Sequence, residues 1–258
     1  MTDIHPTAIV SPGAELGAGV RIGPYATIGP HVRIGEGTEI HGHVVVDGWT
    51  EIGRNARIFP FASVGLPPQD LKYKGEKSTL TIGDGTVIRE TATLHPGTAG
   101  GGGTTTVGSN TLIMVGVHIA HDCHIGSRVI MANATHLGGH VTIEDAAVIG
   151  ALSAIHQFSK VGTIAMIGGG SMVTRDVAPY CTVTGDRARL VGLNRIGMER
   201  NGFDEARIDV VKKAFRLLFR SKLLLKDALA RVERELAGSP EVDRMVKFIR
   251  DSERGICR

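Results

Sequence analysis

An aliphatic residue returns at every sixth position of this chain, and few folds tolerate that period. The first run is Ile4, Val10, Leu16, Ile22, Ile28, Ile34, Ile40, Val46, Ile52, Ile58 and Val64. The pattern resumes at Ile82, Ile88 and Leu94, and again over Val107, Ile113, Ile119, Ile125, Met131, Leu137, Ile143, Ile149, Ile155, Val161, Ile167 and Val173. A period of six matches neither the 3.6 of an amphipathic helix nor the plain alternation of a long strand. A small residue commonly stands two positions before the aliphatic one (Ala8, Ala14, Ala26, Thr38, Thr50, Ala56, Ala62), so extended backbone turns both inward. Glycine commonly follows it (Gly17, Gly23, Gly29, Gly35, Gly53), where a corner demands either a positive φ or a close backbone approach. Such hexads make the flat faces of a parallel β-helix, three faces to a triangular coil. Residues eighteen apart then stack at about 4.8 Å.

Composition agrees. Thirty-five glycines, 42% hydrophobic residues and only 4% aromatics suit a narrow prism filled with small aliphatic side chains. The formal net charge of +3 is too weak to argue for nucleic acid, although a local basic patch still suits an acidic partner. Cys123, Cys181 and Cys257 form no CxxC pair and read as free thiols in a reducing compartment. The N-terminus lacks a charged region followed by an apolar stretch, and no run reaches membrane-spanning length. A cytoplasmic protein without stable membrane insertion is expected.

Two stretches break the hexads, at about 66–80 and 97–106, and should leave the prism as loops. The first is polar and carries Pro67 and Pro68; the second contains Gly100 to Gly103. That glycine run lacks the lysine and the following helix of a phosphate-binding P-loop. The hexads end at Val173, and the β-helix is expected to occupy residues 1–186. A helical domain is expected over 187–258. Ile208, Val211, Phe215 and Leu218 follow helical spacing with Asp204 as N-cap; a second helix covers Leu225 to Leu236; a third starts with Ser239 as cap and Pro240 first. This end carries Lys212, Lys213, Arg216, Arg220, Lys222 and Lys226, either a solvated face or a docking surface for an acidic partner.

The period also sorts the polar residues. His121, Gly139 and Gln157 share one column; Asp122, His140 and Phe158 share the next, and His156 follows Gly138 in the preceding one. His118 and His136 are eighteen apart and should stack. All these positions avoid the inward sites, so the imidazoles project outward, and His121, His140, His156 and Gln157 cluster on one corner. Three readings are open: solvated histidines, a metal site drawn from His118, His121, His124 and His140 as in trimeric β-helix carbonic anhydrases, or a histidine general base.

The segment His118-Ile119-Ala120-His121-Asp122-Cys123 resembles the active-site motif of the UDP-N-acetylglucosamine O-acyltransferases, which begin lipid A synthesis. Gly139-His140, Ile155-His156-Gln157-Phe158 and Gln69-Asp70-Leu71-Lys72-Tyr73 match it too, and the similarity runs along nearly the whole chain. The resemblance implies an all-β left-handed parallel β-helix with a small C-terminal α-helical domain, although the general rule for parallel crossovers favours the right hand. It also implies a homotrimer with active sites in clefts between neighbouring prisms. The implied reaction moves a 3-hydroxyacyl group from acyl carrier protein to the 3-hydroxyl of a UDP-amino sugar. It needs no metal and no cofactor beyond the carrier-protein thioester as co-substrate, and no acyl-enzyme.

Position by position, the resemblance makes His121 the general base, Asp122 its orienting partner, and the Gly139 N–H the oxyanion donor. Asp70, Lys72, His118, His140, His156 and Gln157 would contact the nucleotide sugar or the acyl chain, and Asn194 and Arg200 the nucleotide and its phosphates. Gly169 would lie at the distal end of the acyl groove. With no side chain there, a donor of about twelve to fourteen carbons is expected, each methylene contributing about 0.8 kcal/mol. Two positions depart from the family pattern: Asn201 stands where a second arginine is expected, and His136 interrupts an expected asparagine pair. His136 would border the sugar pocket, which leaves the 3-amino analogue open as acceptor. The rivals are a related N-acyltransferase, which usually has an additional N-terminal domain, a zinc hydratase, and a purely structural β-helix.

Overall fold

A computed structural model describes residues 2–258. The hexads fold as their period demands. Each contributes a two- to four-residue strand ending on the periodic aliphatic residue, and parallel pairing stacks like on like, with Ile4 on Ile22, Val10 on Ile28 and Leu16 on Ile34. Among the described residues the three faces of the prism hold eleven, nine and eight strands. The first face carries Ile22, Ile40 and their successors to Ile167 and Val183, the second Val10 to Val173, and the third Leu16 to Val161. From Ile22 onward these side chains are buried, together with the small inward partners Ala26, Thr38, Ala56 and Cys123. Burial of this single column at roughly 25 cal/mol per Å² of apolar surface is what holds the prism together.

Of the two roles open to the glycines after each aliphatic residue, the structure assigns close approach. A Cβ on Gly35 would stand 2.6 Å from the carbonyl carbon of Gly53 in the next coil. The left-handed turn residue lies two positions further on, and often it is not glycine: Tyr25 (φ 58°), Asp122 (φ 59°), His140 (φ 62°) and Phe158 (φ 63°). Single residues tolerate this region at a cost of roughly 1–2 kcal/mol each.

Both inserted loops leave from the corner between the second and third faces. Their strands resume earlier than expected, at Thr79 and Thr104, so the loops proper are 66–78 and 95–103, the second holding a 3₁₀ turn, Ala99–Gly101. The column step widens from 18 residues to 30 across the first and 25 across the second. The prism also continues past Val173: Val177 bridges to Val161 and Val183 pairs with Ile167, both valines fully buried.

Strand Arg189–Leu193 then turns back antiparallel on Cys181–Thr184. The helical part therefore starts at Arg195 rather than 187. It comprises α1 (Arg195–Arg200), α2 (Glu205–Phe215, continued by a π-helical turn to Arg220), α3 (Leu225–Glu235) and α4 (Pro240–Arg250). Asp204 and Ser239 cap α2 and α4 as their side chains predict, and α1 is an addition the periodicity did not reveal. The helices pack on Ala178, Tyr180 and Cys181, outside the prism core.

Candidate active site

Three consecutive coils present the same corner. Ala120-His121-Asp122, Gly138-Gly139-His140 and His156-Gln157-Phe158 lie one above another, joined by the His140 N–H donating to His121 O (3.0 Å) and the Phe158 N–H to Gly139 O (3.1 Å). Because the two loops emerge from this corner in the coils just below, Thr98 of the second loop reaches Asp122, and Asp70 and Lys72 of the first lie within electrostatic reach of His140.

Asp122 is buried, with no side-chain exposure. Its Oδ1 accepts the Thr98 N–H at 2.9 Å, and its Oδ2 accepts the Thr98 hydroxyl at 2.7 Å and His121 Nδ1 at 2.8 Å. Burial alone would raise the carboxyl pKa, but the Thr98 hydroxyl and N–H, then His121 and the nearby His140, outweigh it and hold the group below the usual range. Asp122 is thus an acceptor-only carboxylate. In the neutral ring His121 Nδ1 then carries the proton and Nε2 the free lone pair. Under the ring lies Gly139, where a Cβ would stand 2.6 Å from His121 Cε1 and 2.8 Å from Nε2. No side chain fits between the imidazole and that backbone.

Further imidazoles border the pair. His140 stands edge-on to His121 (centroids 5.1 Å apart) and stacks on Phe158 at 4.3 Å; burial is the main cause of its lowered pKa, opposed by Asp122. His118 bonds Thr93 Oγ1 through Nδ1 at 2.8 Å and lies 5.3 Å from His95 and 6.2 Å from His136. Burial first, then repulsion by His95, His136 and His121, pushes its pKa down to about 4, so His118 is neutral at pH 7.

This geometry coincides with a family. A model described as UDP N-acetylglucosamine O-acyltransferase, domain 2, matches residues 176–257, and the bacterial transferase hexapeptide (six repeats) matches 13–48 and 104–139. The acyl-[acyl-carrier-protein]–UDP-N-acetylglucosamine O-acyltransferase of Anaeromyxobacter sp. (strain K) is 52% identical over 255 residues, 99% of either chain. That of Thermodesulfovibrio yellowstonii is 51% identical over 258 residues, 100% of either. The solved structure of LpxA from Acinetobacter baumannii superposes with a TM-score of 0.96 at 45% identity, covering 99% of both chains. The chain belongs to the UDP-N-acetylglucosamine O-acyltransferase family. It is an acyltransferase, and its prism is the left-handed parallel β-helix of that family.

The remaining expected residues of this acyltransferase fall into two groups. His156 and Gln157 are exposed at the His121 corner. Asp70 and Lys72 form a turn in the first loop, the Lys72 N–H donating to Asp70 Oδ1 at 3.0 Å, and both charges are felt at His140. His136 stands exposed on the second face beside His118. By contrast, Asn194 and Arg200 line a cleft of about 670 Å³ over the first face, with Ile130, Val148 and Met166. That face lies across the triangle from the His121 corner, so within one chain they share no ligand with His121. The Asn194 side chain is also committed to the backbone, donating to Ile164 O (2.8 Å) and accepting the Gly197 N–H (3.0 Å). Gly169 is exposed on the corner between the first and second faces, further toward the C-terminal end.

The four imidazoles considered for a metal do not converge. His118 projects from the second face and His124 from the third, where its Nδ1 meets Thr106 Oγ1 at 3.1 Å. His121, Asp122 and His140 do place donor atoms within 4.8 Å of one another, but the Asp122 oxygens already accept three hydrogen bonds. The sequence pattern did not reveal Thr98; Gly97 and Gly101, where any Cβ would strike the Asp122 carboxylate, were its visible trace.

Proposed function

We propose that the protein transfers a 3-hydroxyacyl chain of about twelve to fourteen carbons from acyl carrier protein to the 3-hydroxyl of UDP-N-acetylglucosamine, in the cytoplasm. The observation that carries this reading is the His121–Asp122 pair, whose imidazole bonds the buried carboxylate through Nδ1 and lies against the Gly139 backbone.

In this reading His121 Nε2 takes the proton from the sugar 3-hydroxyl as its oxygen attacks the thioester carbonyl carbon. The carbonyl π pair moves to oxygen, and the Gly139 N–H donates to that oxyanion. Asp122 stabilises the imidazolium. The oxyanion then collapses, the C–S bond breaks, and the leaving thiolate takes from His121 the proton that came from the sugar hydroxyl. Cys123 is no rival nucleophile: it is fully buried, its thiol donates to Gly138 O at 3.2 Å, and burial pushes its pKa up to about 12. Asp70, Lys72, His118, His140, His156 and Gln157 would hold the acceptor and the acyl carbonyl. A homotrimer would complete the site, because Asn194 and Arg200 of the partner subunit would face the nucleotide that this chain's own pair does not reach. The carrier protein would dock on exposed Lys213, Arg216, Lys222 and Lys226, none of which has an ion-pair partner among the described residues.

His136 supports a second reading. Its Nδ1 meets Ala134 O at 3.0 Å, which leaves Nε2 as an outward acceptor beside the sugar site and suits a 3-amino acceptor. Turnover of UDP-N-acetylglucosamine equal to or better than the amino analogue would remove it. The decisive assay is acyl transfer by wild type and His121→Ala, both with chelator present. Product that survives chelation and falls by about 10³-fold or more in the variant is expected. Equal activity in the two proteins would refute the histidine-base mechanism, and loss on chelation would return the metal reading.

A further inference from the structure

We infer that Glu76 is a positioning residue for the catalytic pair, coupling the substrate-facing first loop to Asp122 through the second loop. The inference rests on the role proposed above for His121 and Asp122.

The second loop is built around an unusual division of labour. Thr98 precedes the 3₁₀ turn Ala99–Gly101 in an extended conformation (φ −129°, ψ 157°), the position from which a threonine ordinarily caps the turn's free N–H groups. Its side chain makes no such bond, because its hydroxyl is given to Asp122 Oδ2. The free Ala99 N–H is taken instead by Glu76 of the first loop, whose Oε1 accepts it at 3.2 Å. The same carboxylate accepts the Lys74 N–H through Oε2 at 2.8 Å, and the Glu76 carbonyl accepts the Tyr73 hydroxyl at 3.1 Å. One side chain therefore closes the turn of the loop bearing Asp70 and Lys72 and caps the loop that holds Asp122.

Both ends of this link are anchored. On one side Lys77 places its Nζ 3.6 Å from the centre of the Trp49 ring, which itself stacks on His31 at 3.9 Å. This fixes the backbone next to Glu76 on the third face. On the other side Thr98 reaches Asp122 with two hydrogen bonds, and Gly101 lies against the carboxylate with no room for a side chain. A shift of the 3₁₀ turn thus loosens the two donors that keep Asp122 a pure acceptor, and with them the tautomer of His121. A first loop displaced by the wrong ligand, or left open, would by this route leave the base less well oriented. Substrate binding and base orientation are coupled by a single carboxylate.

The test is a double-mutant cycle on the full-length enzyme with acyl-carrier-protein donor and UDP-N-acetylglucosamine acceptor. Glu76→Ala is expected to lower kcat by about 10-fold with Tm unchanged, since the loop contributes little to the prism core. Glu76→Gln, which keeps one acceptor oxygen, should recover at least about 3-fold of that loss. In an Asp122→Asn background, where the link has nothing left to orient, Glu76→Ala should cost less than about 2-fold. A change in KM alone, full additivity of the two substitutions, or Gln no better than Ala would each overturn the inference. Asp122→Asn serves as the separate check: if it alone left kcat unaltered, the proposed mechanism would fail, whereas a large loss there with an additive Glu76 effect would sink only the coupling.

Discussion

Gly139→Ala separates catalysis from stability at one atom. Gly139 is buried beneath the His121 imidazole, and its φ lies outside the left-handed region, so alanine brings no backbone strain. The added Cβ would stand 2.6 Å from His121 Cε1 and 2.8 Å from Nε2, against roughly 3.5–4.0 Å for carbon atoms in contact. The ring must therefore retreat by about 1 Å. Its 2.8 Å bond to Asp122 then stretches beyond about 3.5 Å, where a hydrogen bond is lost. A misplacement of that size costs about 10²-fold in rate, equivalent to about 2.7 kcal/mol. Stability should move little, because replacing glycine stabilises by roughly 0.4–1 kcal/mol through the unfolded chain and offsets the local repacking. The assay is the initial rate of acyl transfer beside a thermal melt, with Gly192→Ala, whose Cβ meets nothing within 4 Å, as control. Gly139→Ala with wild-type kcat and an unchanged melt would show that His121 does not act from where it stands, and the mechanism would fall.

Other outcomes follow from the same geometry. Asp122→Asn, which presents an amide in place of the acceptor carboxylate, should lower kcat by about 10²–10⁴-fold by favouring the wrong His121 tautomer, read beside an unchanged melt. For His118, the unfolded chain binds a proton near pH 6.5 while the folded protein waits until about 4. Stability should therefore fall as pH drops through that window and level off below it; chemical denaturation of wild type against His118→Gln checks this, the variant having the shallower slope. Gly169→Met brings its first added carbon 3.2 Å from Ala151 O and 3.8 Å from Ala151 N, a contact that a small local shift relieves, so the fold should accept it while a donor panel shifts toward shorter chains. An unchanged panel would refute the groove placement. Glutamate at Lys213 and Arg216 together should raise KM for the carrier protein several-fold at low salt and leave UDP-sugar KM alone; an unaltered carrier KM would remove the docking face.

The prism was legible because its constraint is local and repeated. Each hexad states its own inward residues, and stacking needs only that the period be kept, so Ile119, Leu137 and Ile155 align however the loops wander. The same arithmetic brought His121, Gly139 and Gln157 together, since outward corner positions inherit the register of the core. It failed where the chain leaves the period. Thr98 and Glu76 belong to segments whose partners are chosen by hydrogen bonds across 24 and 23 residues, and no spacing rule reports those. The brief helix α1 escaped for a different reason: six residues with one buried side chain, Met198, carry no amphipathic signal. Asn194 and Arg200 mark the limit of reading one chain. The resemblance places them at the nucleotide, yet the fold sets them across the prism from His121. A triangular prism cannot bring a face and its opposite corner to one ligand. If all these residues serve one reaction, then the active unit must contain more than one copy, and a His121→Ala chain mixed with an Arg200→Ala chain should regain activity that neither has alone.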